Sequence, residues 1–384
     1  MLSPKRIFFY CLPIAAPDQV GYHHLMLAIA EGLKPLGVQL YSNINYWKAS
    51  PDSDEYLIIH DPDVTPDDCD VVMIDEHWLI TGPGELPPQL FKPHRNYITV
   101  YLDNSESTKC IRKQSWSQEF SQFDLILRTH CSTQFEYPQN FRPWTFSLPQ
   151  RVLDEVSDIP SYDERNHHLL VNFRDTQWMH SVRKSVYHSL HPYIESTLAP
   201  VYKAVNDFNA PPTSEYHYFQ WLQTGRRHYP DYYNNLKTSA FCSCFGGFFV
   251  PSHIKHPGTR WAEIQKRLFT ELGWSSKSIL QWDSWRFWES LAAGAVSLHV
   301  DFEKYGFSLP VMPKNWVHYI GLDLDHIQDD IDRMIDEPGI LADISRQGRE
   351  WALAHYTSKA VALRFLDVLE NYQSQSVVQE AVPV

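Results

Sequence analysis

The chain has 384 residues, 43% of them hydrophobic and 14% aromatic, which is enough apolar surface for two or three domains and too much for a disordered polymer. Its 33 Lys and Arg stand against 46 Asp and Glu, and the resulting formal charge of −13 repels polyphosphates at long range, so no nucleic-acid partner is expected. No uninterrupted stretch reaches the ~20 apolar residues of a membrane span, so any membrane contact is expected to be peripheral.

Lys5-Arg6 followed by apolar residues 7–16 has the outline of a short signal sequence, but Pro13 interrupts it and patterned globular sequence follows. The six Cys show no CxxC and no framework spacing, which favours a reducing compartment, and the cytoplasm is the expected location.

In chain order, Ile7 to Cys11 reads as a buried strand, and a helix follows from His23 to Leu36 with Leu25, Ala28, Ile29 and Leu33 on one face before Gly37. Apolar runs at residues 38–43, 56–59, 71–74, 97–102 and 125–127 continue the series. Strands alternating with helical stretches indicate a parallel sheet covered on both faces. The pattern lapses between Ser147 and His168. A second series begins at Leu169 to Phe173, passes through a helix near Met179 to Leu190, and returns at Ala240 to Cys244 and Ala295 to Val300. Residues 340–372 read as helical with a break near Tyr356-Thr357. The expected division is 1–155, 156–350, a closing helix at 351–372 that crosses back to the first unit, and a flexible tail at 373–384. Ligands of open parallel sheets sit at the carboxyl ends of the strands, so the cleft between the two units is the expected site.

The most informative stretch is Asp283 to Val296. Asp283 or Ser284 can cap a helix whose first turn presents N–H groups and a positive dipole end, and Arg286 adds a forked donor there. Glu289, one turn deeper on the same face, offers a carboxylate suited to a vicinal diol. A diphosphate at the helix tip and a ribose beside the carboxylate would make one nucleotide. Upstream, Tyr232 to Gly247 reads as helix, turn, strand and paired glycines, and Gly246 and Gly247 would let backbone N–H groups approach a phosphate. Cys242 and Cys244 point to one face of that strand as small core residues.

The order Tyr-x3-Leu-x2-Ser-x-Phe-Cys-x-Cys from Tyr232, then Gly246, then Ser284-x-Arg286-x2-Glu289-x-Leu291-x2-Gly294, resembles the nucleotide-sugar half of exostosin-like and related GT-B glycosyltransferases. Residues 248–282 form an insertion relative to that pattern. The resemblance implies an α/β fold of GT-B type: two Rossmann-like domains with parallel sheets facing a central cleft, acceptor on the first and donor on the second. It implies transfer of a sugar from a UDP- or GDP-sugar to a glycan, lipid-linked or small-molecule acceptor, without a metal or a tightly bound cofactor. Glu289 would hold the ribose, and Ser284, Arg286, Gly246 and Gly247 would lie near the diphosphate. Many relatives carry a second acid eight positions before the ribose-binding Glu. Here that position is Gln281, with Asp283 nearby.

Arg174, directly after the strand 169–173, stands where a cation would stabilise the leaving diphosphate, with Arg183 and Lys184 as weaker candidates. For the acceptor, His23 and His24 follow the first strand's loop and are suited to act as a base, with Asp18 in that loop orienting the base or holding a sugar hydroxyl. Asp61-Pro62-Asp63 and Asp323-Leu324-Asp325 match the DxD of metal-dependent GT-A transferases, which gives an alternative built on Asp61 and Asp63. His253-x2-His256 lacks an evident third ligand. The aromatics from Tyr216 to Tyr233 and Phe248-Phe249 could stack sugar faces or pack a subdomain. Two further alternatives are a non-catalytic nucleotide-sugar or glycan-binding protein and a nucleotide-sugar epimerase on the same double fold.

Overall fold

The computed structural model describes residues 4–13, 22–105, 120–173, 180–204, 210–253 and 260–380, with side chains to residue 374. The first half runs β1 (Arg6–Phe9), α1 (His24–Leu33), β2 (Gln39–Ser42), β3 (Val71–Asp75), α2 (His77–Ile80), β4 (Ile98–Asp103), β5 (Leu125–Arg128), β6 (Phe141–Pro143) and α3 (Gln150–Glu155). The second half runs β7 (Asn166–Val171), α4 (Ser181–Thr197), β8 (Val201–Lys203), α5 (Glu215–Gln223), α6 (Pro230–Thr238), β9 (Ser239–Ser243), β10 (Phe248–Val250), α7 (Arg260–Leu272), β11 (Ser278–Leu280), α8 (Trp285–Ala292), β12 (Val296–Val300) and β13 (Ile320–Leu322). Three helices close the chain: α9 (Ile327–Asp336), α10 (Gly339–Tyr356) and α11 (Ser358–Glu380).

Two parallel sheets result, ordered β2-β1-β3-β4-β5-β6 and β13-β12-β9-β7-β8, and β10 and β11 pair separately as an antiparallel hairpin. Helices flank each sheet. The molecule is therefore built from two Rossmann-like domains in the GT-B arrangement. Strands such as β3 and β12 are buried at every residue, as parallel strands covered on both faces must be. The apolar run at 56–59 forms only isolated bridges, Tyr46 to Ile58 and Tyr41 to Ile59, because it lies outside the edge strand β2.

The break expected at residues 356–357 is real: Thr357 takes extended backbone between α10 and α11. From there α11 packs along α1 in the first half. The approach is close at Gly32, where a Cβ would sit 2.0 Å from the Ser358 carbonyl oxygen, so no larger residue fits. The helix also continues through Gln373 to Glu380, past the point where the sequence loses periodicity.

Candidate functional site

A cavity of about 390 Å³ opens between the halves. Its walls are the starts of α4 and α8, the glycine turn after β9, and Phe146 from the first half. Among the described residues, four buried polar atoms on this wall are left without a hydrogen-bond partner: His180 Nδ1, Gln281 Oε1, Ser284 Oγ and Arg286 Nε. Leaving such groups unpaired costs roughly 1–3 kcal/mol each, so their convergence on one cavity indicates a place for a polar ligand. Ser284 stands at the N-cap of α8 with extended backbone, and its hydroxyl makes no cap bond to the first-turn N–H groups, of which Phe287 N donates instead to the Ser284 carbonyl at 3.1 Å. His180 occupies the N-cap position of α4, and burial, with Arg183 and Arg286 adding to it, holds its imidazole down to about 3. It is neutral at pH 7 beside two guanidinium groups.

Glu289 is buried on the cavity wall. Its Oε2 accepts from the Tyr232 hydroxyl at 2.6 Å and its Oε1 from the Tyr233 hydroxyl at 3.4 Å. A carboxylate has about four acceptor positions, so capacity remains for a ligand diol. Burial first, and Glu289 second, push the Tyr232 hydroxyl well above its ordinary range, so it stays a donor. Tyr233 accepts in turn from Arg151 Nη1 at 2.7 Å, and Arg151 Nε donates to the Tyr22 hydroxyl at 3.1 Å. Burial opposes the Arg151 charge, yet Tyr22, Tyr233 and Glu289 together raise its pKa, and it stays a cation. Arg151 and Tyr22 have no motif around them, and reading the sequence alone missed both.

Asp283 is committed elsewhere. It accepts from Thr145 Oγ1 at 2.7 Å, Phe146 N at 3.2 Å and Trp288 Nε1 at 2.7 Å, so it clasps the two halves together. Burial nonetheless pushes its carboxyl up to about 6. Gln281, where relatives carry an acid, has left-handed backbone (φ 54°). Gly246 and Gly247 do line the cavity, but packing demands them too: a Cβ at Gly246 would lie 2.7 Å from the Trp282 carbonyl oxygen, and one at Gly247 (φ 86°) 2.4 Å from that of Leu280.

The candidate bases of the first half lie elsewhere. His23 Nδ1 is 2.6 Å from Asp75 Oδ2, and its Nε2 accepts from Leu12 N at 2.8 Å, so both ring nitrogens are used. His24 donates from Nε2 to the Ser147 carbonyl at 3.1 Å, meets the Tyr22 hydroxyl at Nδ1 at 3.1 Å, and stacks on Trp285 at 4.4 Å. Burial, and Arg151 after it, hold His24 down to about 3. Neither imidazole lines the cavity. Asp18, Arg174 and His256 lie outside the described residues.

The Asp61 and Asp63 alternative is corrected: Asp61 Oδ1 accepts from Asp63 N at 3.0 Å in a surface turn away from the cavity, and the two-sheet architecture is not that of a GT-A enzyme. Asp323 is occupied by Lys304 and His326. Among the described residues two groups have the composition of metal sites, His23-Asp75-His77 and Glu155-His217-His228. In the first, His23 Nδ1 is 2.6 Å from Asp75 Oδ2 and its Nε2 accepts from Leu12 N, while His77 Nδ1 has no hydrogen-bond partner among the described residues; in the second, hydrogen bonding accounts for the arrangement. Arg151 Nη1 stands 3.4 Å from His228 Nδ1, which favours the proton on Nε2, the atom that faces Glu155 at 3.3 Å. A ligating histidine presents its second nitrogen to an acceptor, the reverse of what Arg151 provides.

No family model matches the chain, and no curated protein matches it. Solved structures do. One is an alpha-glucosyltransferase in complex with UDP and a 13-mer DNA containing a central A:G mismatch, 11% identical, covering 97% of this chain and 100% of that one, with a TM-score of 0.52. Two others are alpha-glucosyltransferase complexes with UDP and a 13-mer DNA containing an HMU base, at TM-scores of 0.51 and 0.50 with 11% and 12% identity and the same coverage. At such identity the likeness establishes the fold. It also corrects the exclusion of nucleic acid drawn from net charge, because structures of this fold are captured with DNA. Net charge is a sum over the whole molecule, whereas contact with a phosphate backbone is set by local cations, so the sum does not decide the question.

Proposed function

We propose that the chain is a glycosyltransferase that takes a sugar from a nucleoside-diphosphate sugar bound in the interdomain cavity. The observation that carries this reading is the meeting of four unpartnered polar atoms, two helix N-termini and Glu289 on one wall. In it, Arg286, Ser284 and the first turn of α8 receive the diphosphate, and Glu289, steadied by Tyr232 and Tyr233, accepts from the ribose hydroxyls. Departure of the nucleotide builds negative charge, and Arg286, Arg183 and the helix ends are fixed there beforehand, which lowers the barrier without calling on a metal ion. UDP in the fold neighbours supports a uridine nucleotide as the first ligand to try.

Calorimetry with UDP and GDP tests the reading. Arg286→Ala is expected to weaken UDP by about tenfold to a hundredfold, as loss of a charge-assisted contact does, and Glu289→Ala to weaken uridine nucleotides while leaving inorganic diphosphate unchanged. Equal affinities in wild type and both variants would remove the cavity from this role. Release of UDP from a UDP-sugar only when acceptor is supplied separates transfer from mere binding, and a changed sugar without acceptor would identify an epimerase.

A further inference from the structure

Helix α7 sits in the protein the opposite way to an ordinary surface helix. It packs on β10, and its inward face carries the buried Ala262, Lys266 and Thr270, while its outward face carries Trp261, Ile264, Leu268 and Leu272, spaced at three and four residues and exposed. Trp274, just past the helix, extends the stripe. Trp261 is 63% and Leu272 56% exposed. The inward Lys266 is held by Glu263 at 2.9 Å and by the Phe248 ring at 4.4 Å, so this orientation is built into the fold. Among the described residues the exposed tryptophans are Trp261 and Trp274, one at each end of the stripe.

Charge singles out the same region. Residues 248–282 hold five Lys or Arg against two Asp or Glu, in a chain whose total is −13. Arg260 and Arg267, seven residues apart, flank the stripe and are exposed. Apolar side chains outward, aromatics at the ends and guanidinium groups along the edge are the features of a helix that lies in a bilayer interface among anionic headgroups. A nucleic acid would match the arginines and leave the leucines without a partner. Two copies paired through this face would bring the arginine edges together. No helix among the described residues is long and apolar enough to cross a membrane, so the contact is one of lying on the surface.

We infer that α7 and Trp274 form a docking face for an anionic lipid bilayer. β11 leads from this face directly into Gln281 on the cavity wall, which ties a surface-bound α7 to the site. The inference does not depend on the nucleotide reading, since UDP affinity measured on the same samples reports that reading separately.

Flotation of the full chain with vesicles tests it, using phosphatidylcholine alone and phosphatidylcholine mixed with phosphatidylglycerol. Wild type is expected to float with the anionic vesicles, Leu268→Glu/Leu272→Glu to lose about tenfold or more in partition, and Arg260→Gln/Arg267→Gln to bind both vesicle types equally weakly. Quenching of wild-type tryptophan emission by bromine-labelled lipid gives an answer without any variant. Wild type left unbound by anionic vesicles overturns the inference. So does undiminished flotation of the Leu268→Glu/Leu272→Glu protein, or a lipid-free dimer that this substitution dissolves while vesicles bind nothing.

Discussion

His23, at the carboxyl end of the first sheet, and the polar wall of the cavity, at that of the second, are in opposite states. In the first half, His23 is fully enclosed and each ring nitrogen has a partner, Asp75 on one side and the Leu12 N–H on the other. In the second half, Gln281 and His180 are buried and Ser284 and Arg286 half-buried, yet each leaves an enclosed atom unpaired toward the cavity. Satisfied groups hold a fold together; unsatisfied ones are kept where a ligand completes them. His23 is thus fully engaged within the fold, whereas the polar wall of the second half leaves atoms open toward the cavity.

Substitution in the first half should give the larger loss of stability. His23→Ala leaves the Asp75 carboxylate buried at 2% exposure without its closest partner. Burial opposes that charge, and His23 ahead of His77 is what keeps the Asp75 pKa below its usual range. The expected cost is about 3–5 kcal/mol in chemical denaturation, with UDP affinity of the folded fraction unchanged. A variant as stable as wild type, or one with weakened UDP, would erase the distinction between the two regions.

Between the regions lies Asp283, which belongs to the second half but is satisfied largely by Thr145 and Phe146 of the first. Its carboxyl is raised from 3.8 to about 6 by burial, so the folded protein holds a proton more tightly than the unfolded chain. That contribution is fully present below about pH 4 and is lost as pH rises through about 6, a difference of about 3 kcal/mol. Wild-type stability relative to Asp283→Asn should therefore improve as pH falls from 7 to 4. A flat difference across that window would mean that the clasp carries no such proton linkage.

Much of this contrast could be read from residue order, and some of it could not. The sheets were legible because parallel strands buried on both faces are apolar at nearly every position, and the α10–α11 break showed at Thr357. The wall of α8 was legible because Ser284, Arg286 and Glu289 occupy one turn and a half of a single helix. Whether an imidazole is free depends on distant residues: Asp75, 52 positions from His23, and Arg151, 129 from Tyr22, are brought in by the fold. The same holds for charge, since a total of −13 hid the basic insertion at 248–282 and the arginines of the cavity.

The smallest change is also the sharpest probe of that contrast. Ser284→Ala deletes a buried hydroxyl that bonds to nothing in the ligand-free protein, and extended backbone at the N-cap suits alanine without strain. Removing an unpaired polar atom is expected to leave stability unchanged or slightly raised, where an ordinary capping serine would lose about 1 kcal/mol. If the hydroxyl is kept for a phosphate oxygen, UDP affinity should fall by about tenfold in the same variant, the low end for one hydrogen bond to a charged group. The two readouts move in opposite directions only if the ligand, and not the fold, is the missing partner. A Ser284→Ala protein that loses stability and keeps its UDP affinity would place this hydroxyl with the satisfied groups of the first half.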